Sequence, residues 1–154
     1  GEDVAGLIVG GFSKRRAHYR AELQQLAAQH QVVEHIHYLG DRQDVRELMS
    51  IADMVVNISS KAEAFGRTLA EAVALGRPVL SWDRGGASEI LQQCFPQGAV
   101  PADDMLALVD RAQAILQAPD RPAPVPYRLA ITTAQTLEFY QHLLQRSRAG
   151  RGAY

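Results

Sequence analysis

The amino-acid sequence predicts an α/β protein in which helices flank an open, Rossmann-like parallel sheet. Short apolar runs alternate with longer stretches of helical period, a pattern typical of parallel strands joined by crossover helices. Glycines follow several of these runs, where a chain leaving a strand must turn tightly. The sequence has 154 residues, of which 47% are hydrophobic, enough to bury one core of ordinary size. We therefore predict a single domain over residues 1–145.

Two strand and helix pairs are predicted in the first third of the chain. The first strand is the continuous apolar run at residues 5–10, which ends in a glycine pair. A helix follows over residues 15–30, because its apolar side chains recur on one stripe. The second strand covers residues 35–39 and closes at Gly40, and Asp44 is then expected to cap a short helix.

The middle of the chain repeats this alternation. The third and fourth strands are predicted at residues 54–58 and 78–82, on either side of a helix that Gly76 should terminate. The glycine pair at positions 85 and 86 should lead into a short helix around residues 88–92.

The last third of the chain carries weaker signals. A short strand at residues 99–100 precedes a helix over residues 103–117, whose apolar side chains fall in step. Residues 119–127 contain four prolines, so they should form an extended, proline-rich strap. A C-terminal helix over residues 128–145 and a disordered tail over residues 146–154 complete the prediction.

Composition excludes several classes of function. A net charge of -1 and a pI near 6.6 give no bulk attraction to nucleic acid or to an anionic membrane. The sequence contains no apolar run of transmembrane length and no signal-peptide pattern, so we expect a cytoplasmic protein. Cys94 is the only cysteine, and we expect it to be a buried, inert thiol. The chain opens with Gly1, which suggests a piece excised from a longer protein.

The densest cluster of candidate site residues is the segment SSKAEAFGRTLAEAVALG at residues 59–76. Glu63 lies in the loop after the third strand, and Glu71 lies eight residues later on the following helix. The first free amides of this helix, near Gly66, Arg67 and Thr68, favour a diphosphate through hydrogen bonds and the helix dipole. The two carboxylates could then accept hydrogen bonds from sugar hydroxyls. The alternative is that both are solvated acids near a helix start.

This segment and its surroundings resemble the donor-binding core of the retaining GT-B glycosyltransferases of family 4, part of the glycosyl transferases group 1. The resemblance covers roughly residues 7–116, with its features in the family's order. These features are the strand ending at Gly40, Ala52-Asp53, the two glutamates, the glycine-proline step at Gly76 and Pro78, and Gly85-Gly86 with Glu89. The resemblance implies the C-terminal, donor-binding half of such an enzyme.

The resemblance also implies roles for individual residues. Glu63, the candidate catalytic residue, would contact the donor sugar, while Glu71 would hold the nucleotide ribose. The backbone at four positions would cradle the sugar and the diphosphate: Phe65, Gly66, Arg67 and Thr68. The backbone around Arg42 would meet the base, and Gly10 and Gly11 would line the same cleft. Lys14, Arg15 or Lys61 would partly replace the family's arginine and lysine, whose strand is absent from this sequence.

The expected substrate is a UDP-, GDP- or ADP-sugar, and no metal or other cofactor is expected. The donor phosphate serves as the base in such enzymes, so no enzyme nucleophile is required. The implied reaction is hexosyl transfer to a glycan or lipid-linked acceptor, in lipopolysaccharide or cell-surface polysaccharide biosynthesis. The acceptor-binding N-terminal domain is missing, so the chain alone should be inactive. Any peripheral membrane association would run through that missing half.

Four other interpretations of the sequence stay open. The chain could be a flavodoxin-like, non-catalytic nucleotide-binding module, or a module that docks a protein partner. His35 and His37 alternate on a strand as a metal pair would, but no third ligand is in reach by sequence, which favours a polar strand face. Trp82 could stack on a base, although a core position is favoured.

Overall fold

The computed structural model describes residues 4–11, 17–126 and 129–150. The chain divides into two compact units, residues 1–51 and residues 52–154, where the sequence suggested one domain over residues 1–145.

The first unit contains two parallel strands and two helices. Its elements are β1 (Gly6–Val9), α1 (Ala17–Gln29), β2 (Ile36–Gly40) and α2 (Val45–Ile51). Gly6 lies opposite Ile36 in the register, which shifts by one residue between Ile8 and Val9. All four elements were predicted from the sequence, within a few residues of their ends.

The prediction that the Asp44 side chain caps α2 is wrong. Its two carboxylate oxygens accept hydrogen bonds from the Arg42 guanidinium, at 2.7 Å from Nε and 2.5 Å from Nη2. Only the backbone carbonyl of Asp44 serves the helix, accepting from the Leu48 amide at 3.1 Å. Two charged donors in a fork match a carboxylate better than one backbone amide does, so the ion pair forms instead of the cap.

The second unit is a three-stranded parallel sheet with helices. Its elements are β3 (Val55–Asn57), α3 (Arg67–Ala74), β4 (Val79–Trp82), α4 (Gly85–Cys94), β5 (Ala99–Val100), α5 (Met105–Gln117) and α6 (Leu129–Gly150). The strand order is β3-β4-β5, with Val55 opposite Val79 and Ser81 opposite Ala99. The described strands form two hydrogen-bonded sheets where the sequence suggested one, and the strands within each sheet are parallel, as the sequence predicted.

The core of the second unit surrounds β4, whose four residues are all buried. Helices α3, α4 and α5 contribute Leu69, Ile90 and Ile115 to this core. Trp82 is only 4% exposed, which confirms a core position for this side chain. Cys94 is buried as predicted, and desolvation raises the pKa of its thiol.

Helix α4 begins at Gly85, three residues earlier than the sequence suggested. The sequence predicted that the two glycines lead into the helix, and glycine disfavours helix interiors. In the structure they form the first turn, where main-chain atoms of residues 63–65 approach too closely for any side chain. Packing against this segment therefore outweighs the low helix propensity of glycine.

The two C-terminal predictions have different outcomes. Residues 119–126 form neither helix nor strand, and the Ala123 amide donates to the Cys94 carbonyl at 2.8 Å. Helix α6 continues to Gly150, so residues 146–150, expected to be part of a disordered tail, extend the helix. Arginine and alanine are strong helix formers, and extending an existing helix costs far less than starting one. Residues 151–154 lie outside the described residues.

Candidate functional site

The segment that joins β3 to α3 carries Glu63, and polar contacts fix its position. The Glu63 carboxylate is half-buried, and its Oε1 accepts a hydrogen bond from Asn57 Nδ2 at 3.0 Å. Asn57 is the last residue of β3, and its Oδ1 accepts from the Ser59 amide at 3.2 Å. The strand end therefore sets both the start of the loop and the direction of the carboxylate.

The start of α4 holds the same loop from its other side. The Gly86 amide donates to the Glu63 carbonyl at 2.8 Å, and Arg84 Nη2 donates to the Ser59 carbonyl at 2.5 Å. A Cβ at Gly85 would lie 2.7 Å from the Glu63 carbonyl oxygen, so the two backbones touch. Glu63 thus sits on a loop whose main chain is bound at several points.

Helix α3 starts at Gly66 without a side-chain cap. Gly66 has a left-handed backbone (φ +78°), and its carbonyl accepts from the amides of Leu69 and Ala70, both at 3.1 Å. No hydrogen bond from a capping side chain reaches this end within the described residues. The amides of Arg67 and Thr68, in the first turn, are therefore placed to bind an anion.

Gly66 has a structural role that the sequence did not reveal. We expected its missing side chain to let a ligand approach the backbone. In the structure Gly66 is buried, and a Cβ there would lie 3.2 Å from Ile90 Cδ1 and 3.3 Å from the Ala87 amide nitrogen. The glycine thus allows α3 to start against α4.

Glu71 lies on the second turn of α3, and its side chain is 55% exposed. Its Oε1 is 3.7 Å from Arg67 Nη2, one helical turn earlier. An exposed pair at this distance stabilises a protein by only a few tenths of a kcal/mol, so Glu71 can exchange this partner for a ligand.

The two glutamates line different hollows of the second unit. Glu71 lines one together with Phe65, Arg67, Ala70, Ala74 and Val125. Glu63 lines the other together with Asn57, Ser59, Lys61, Ser81, Trp82, Arg84 and Ala87. Phe65 lies between the two glutamates in the sequence, and it is 47% exposed.

The remaining candidate residues belong to the first unit. The Gly10 amide donates to the Gly40 carbonyl at 2.8 Å, and Gly10 has a backbone (φ +147°) that favours glycine. Gly11 lies beside the Asp41 side chain. The side-chain hydrogen bond between Arg42 and Asp44 raises the pKa of Arg42 and lowers that of Asp44. Lys14 lies outside the described residues.

The possible metal ligands suggested by the sequence are His35 and His37. Both are exposed, but only His37 lies on β2, because His35 ends the short 3-10 helix Val33–His35 that precedes the strand. Within residues 4–11, 17–126 and 129–150, no three His, Cys, Asp or Glu side chains lie together as metal ligands would. Likewise, no helix in this part of the chain is long and apolar enough to cross a membrane.

The sequence analysis missed Asn57. The available signal was a single amide side chain near the end of the otherwise apolar run at residues 54–58. Polar residues at the carboxyl ends of parallel strands are typical of ligand sites in such folds.

Comparison with known proteins identifies the family. The model of the family described as "Glycosyl transferases group 1" matches residues 1–127. The chain belongs to the group 1 glycosyl transferases. Family membership favours a transferase over the flavodoxin-like and partner-docking alternatives.

Two curated relatives illustrate the family. The chain is 28% identical over 137 residues to the lipopolysaccharide core biosynthesis mannosyltransferase LpsB of Rhizobium meliloti, a match that covers 88% of the chain. It is 34% identical over 119 residues to a phosphatidyl-myo-inositol mannosyltransferase of Mycobacterium leprae, covering 75% of the chain. The matches span only 37% and 29% of these two relatives.

Solved structures confirm the fold. The Anabaena protein HepE in complex with UDP and glucose superposes with a TM-score of 0.71 at 26% identity. That match covers 77% of the chain and 32% of HepE. Sucrose-phosphate synthase from Thermosynechococcus elongatus gives a TM-score of 0.65 at 28% identity, over 73% of the chain and 29% of the synthase. The predicted α/β glycosyltransferase fold is therefore confirmed.

Proposed function

We propose that this chain binds a nucleotide-diphospho-sugar, as the C-terminal, donor-binding part of a retaining family 4 hexosyltransferase. The observation that carries the proposal is the uncapped start of α3, with Glu63 on the clamped loop before it and Glu71 on its second turn. A helix start binds phosphate through its free amides and its dipole, and flanking carboxylates accept hydrogen bonds from hydroxyls.

Each part of this segment has a role in the proposal. The amides of Arg67 and Thr68 bind the diphosphate, with the backbone of Phe65 and Gly66 beside the sugar. Glu63 contacts the donor sugar near the reacting carbon, and Glu71 binds the ribose. The donor phosphate acts as the base, so the segment supplies orientation and electrostatic stabilisation rather than a nucleophile.

Four residues of the first unit are also proposed to bind the donor. Gly10 and Gly11 would contact it through the main chain, Lys14 would neutralise diphosphate charge, and the backbone around Arg42 would meet the base. The Arg42 side chain is already bound to Asp44, which supports a base contact through the main chain.

The relatives support the wider context. Two are mannosyltransferases that act in lipopolysaccharide core biosynthesis or on phosphatidyl-myo-inositol, and HepE was solved with UDP and glucose. We therefore place this chain in a cytoplasmic enzyme that transfers a hexose, without a metal, to a surface glycan or lipid-linked acceptor. Because the chain spans about a third of these relatives, we assign acceptor binding to residues outside it, and we expect the isolated chain to be inactive in transfer.

Calorimetry with a Glu71→Ala variant tests the proposal. UDP, GDP, ADP and their hexose conjugates are titrated into the unaltered chain to find the nucleotide that binds best. Glu71→Ala should then weaken the binding of that nucleotide by about 2 kcal/mol, or roughly 30-fold, because the ribose loses hydrogen bonds to a charged acceptor.

Glu138→Ala is the matched control, since it removes an exposed glutamate from helix α6. Its affinity should equal that of the unaltered chain. Equal nucleotide affinity in the Glu71→Ala variant, or binding of none of the compounds, would contradict the proposal.

A further inference from the structure

The side-chain amide of Asn57 joins two groups of the candidate site. Its Oδ1 accepts from the Ser59 amide at 3.2 Å, and its Nδ2 donates to Glu63 Oε1 at 3.0 Å. A backbone N–H can only donate, so the oxygen of the amide must face Ser59. The nitrogen is then forced to face Glu63, which fixes the orientation of the amide.

This contact leaves half of the Glu63 carboxylate available. Nδ2 binds Oε1, and no other hydrogen bond or ion pair to Glu63 Oε2 is found within the described residues. The hollow beside Glu63 is lined by Asn57 and Ser59 as well. Because this hydrogen bond already restricts the Glu63 side chain, its other oxygen can accept from a hydroxyl group with little further loss of conformational entropy.

We propose that Asn57 is a positioning residue, which orients Glu63 so that its free oxygen accepts a hydrogen bond from the donor hexose. The inference rests on the proposed function, because it assigns the sugar contact to Glu63. It adds a residue that acts through Glu63 and contributes to the affinity for the sugar rather than for the nucleotide.

The hydrogen bond itself can be tested without any ligand. Asn57 is the only asparagine in the sequence, so ¹⁵N-asparagine labelling gives a single pair of side-chain amide resonances. Glu63→Ala should shift this pair, and Glu71→Ala should leave it unchanged. An Asn57 amide pair that does not respond to Glu63→Ala would overturn the inference.

Binding measurements test the functional consequence. The affinities of UDP and UDP-glucose, and of GDP and GDP-mannose, give the gain that the hexose adds to each nucleotide. In Asn57→Ala this gain should fall about tenfold, the typical contribution of one hydrogen bond to an ionised group, while the affinity for the bare nucleotide stays unchanged.

Asn57→Asp separates positioning from loop structure. An aspartate has the same shape and can still accept from the Ser59 amide, but it turns an oxygen rather than a donor toward Glu63. The gain from the hexose should therefore be lost here too. An Asn57→Asp variant that keeps the full gain would show that Asn57 only shapes the turn, and the inference would be wrong.

A double-mutant cycle completes the design. Asn57→Ala should have no effect on the hexose gain in a Glu63→Ala background, because a positioning residue acts only through its partner. Gln113→Ser, which alters an exposed amide on α5, is the control and should change nothing. If the unaltered chain binds none of the four compounds, the proposed function fails, and the resonance test still decides whether Asn57 holds Glu63.

Discussion

At the scale of single residues, the first unit contains a local ion pair that takes the place of a helix cap. Arg42 and Asp44 are two positions apart, and both side chains are more than 40% exposed. The hydrogen bond from Arg42 is the largest cause of the lowered pKa of Asp44. The pair holds these two side chains in place beside the Arg42 backbone, which we propose to contact the nucleotide base.

The pH dependence of this pair follows from the sign of the shift. The pKa of Asp44 is lower in the folded protein than in the unfolded chain. The ion pair therefore stabilises the folded state at pH values above the unfolded pKa of about 3.9. The contribution is lost as the pH falls through the folded value. Carboxyl NMR titration should give an Asp44 pKa below that of the same residue in Arg42→Ala. Identical values in the two proteins would contradict the ion pair.

At the scale of elements, the contact between α4 and the loop before α3 positions the candidate site. A Cβ at Gly86 would lie 2.6 Å from the Ala64 carbonyl oxygen and 2.6 Å from Phe65 Cα. These are backbone atoms, which cannot turn aside as the end of a flexible side chain can. The glycine therefore lets α4 begin directly against the loop that carries Glu63.

Gly86→Ala should consequently destabilise the second unit. Overpacking of this kind typically costs about 1 to 3 kcal/mol, and the loop must shift to relieve it. Urea unfolding followed by circular dichroism measures the loss. Gly6→Ala is the control, since a Cβ there would meet only the His35 carbonyl at an ordinary 3.7 Å. Equal losses in the two variants would contradict the close contact at Gly86.

Helix α5 provides a second test at this scale. The Asp104 side chain accepts from the Ala107 amide at 3.0 Å and so caps the helix. Asp104→Ala should cost about 1 kcal/mol of unfolding free energy, the usual contribution of an N-cap. Asp110→Ala, an exposed change inside the same helix, should cost less. The same unfolding experiment compares the two variants, and a larger cost for Asp110→Ala would show that the cap contributes little.

At the scale of the whole molecule, the sequence predicted the order of elements well because that order follows from burial. The four residues of β4 are all buried, and three of them, Val79, Leu80 and Trp82, are apolar, so the strand appears in the sequence as a largely apolar run. Gly76 was correctly predicted to end α3, since its left-handed backbone (φ +70°) is a common helix stop.

Other features depend on contacts that a linear pattern does not encode. The hydrogen bond between Asn57 and Glu63 joins side chains six positions apart across an irregular loop, where no periodicity applies. Gly66 and Gly86 lie where segments distant in the sequence approach each other too closely for a larger residue to fit easily. The division of the chain at Ile51 likewise reflects packing rather than any change in composition.

We expect the first amides of α3 to bind the diphosphate of a nucleotide-sugar. The most direct measurement is the change in backbone amide resonances of the ¹⁵N-labelled chain during titration with UDP-glucose and GDP-mannose. One of these compounds should shift the amide resonances of Gly66, Arg67 and Thr68 most strongly, with little change along α5. Unchanged resonances at these three positions would contradict this expectation, whether or not amides elsewhere in the chain shift.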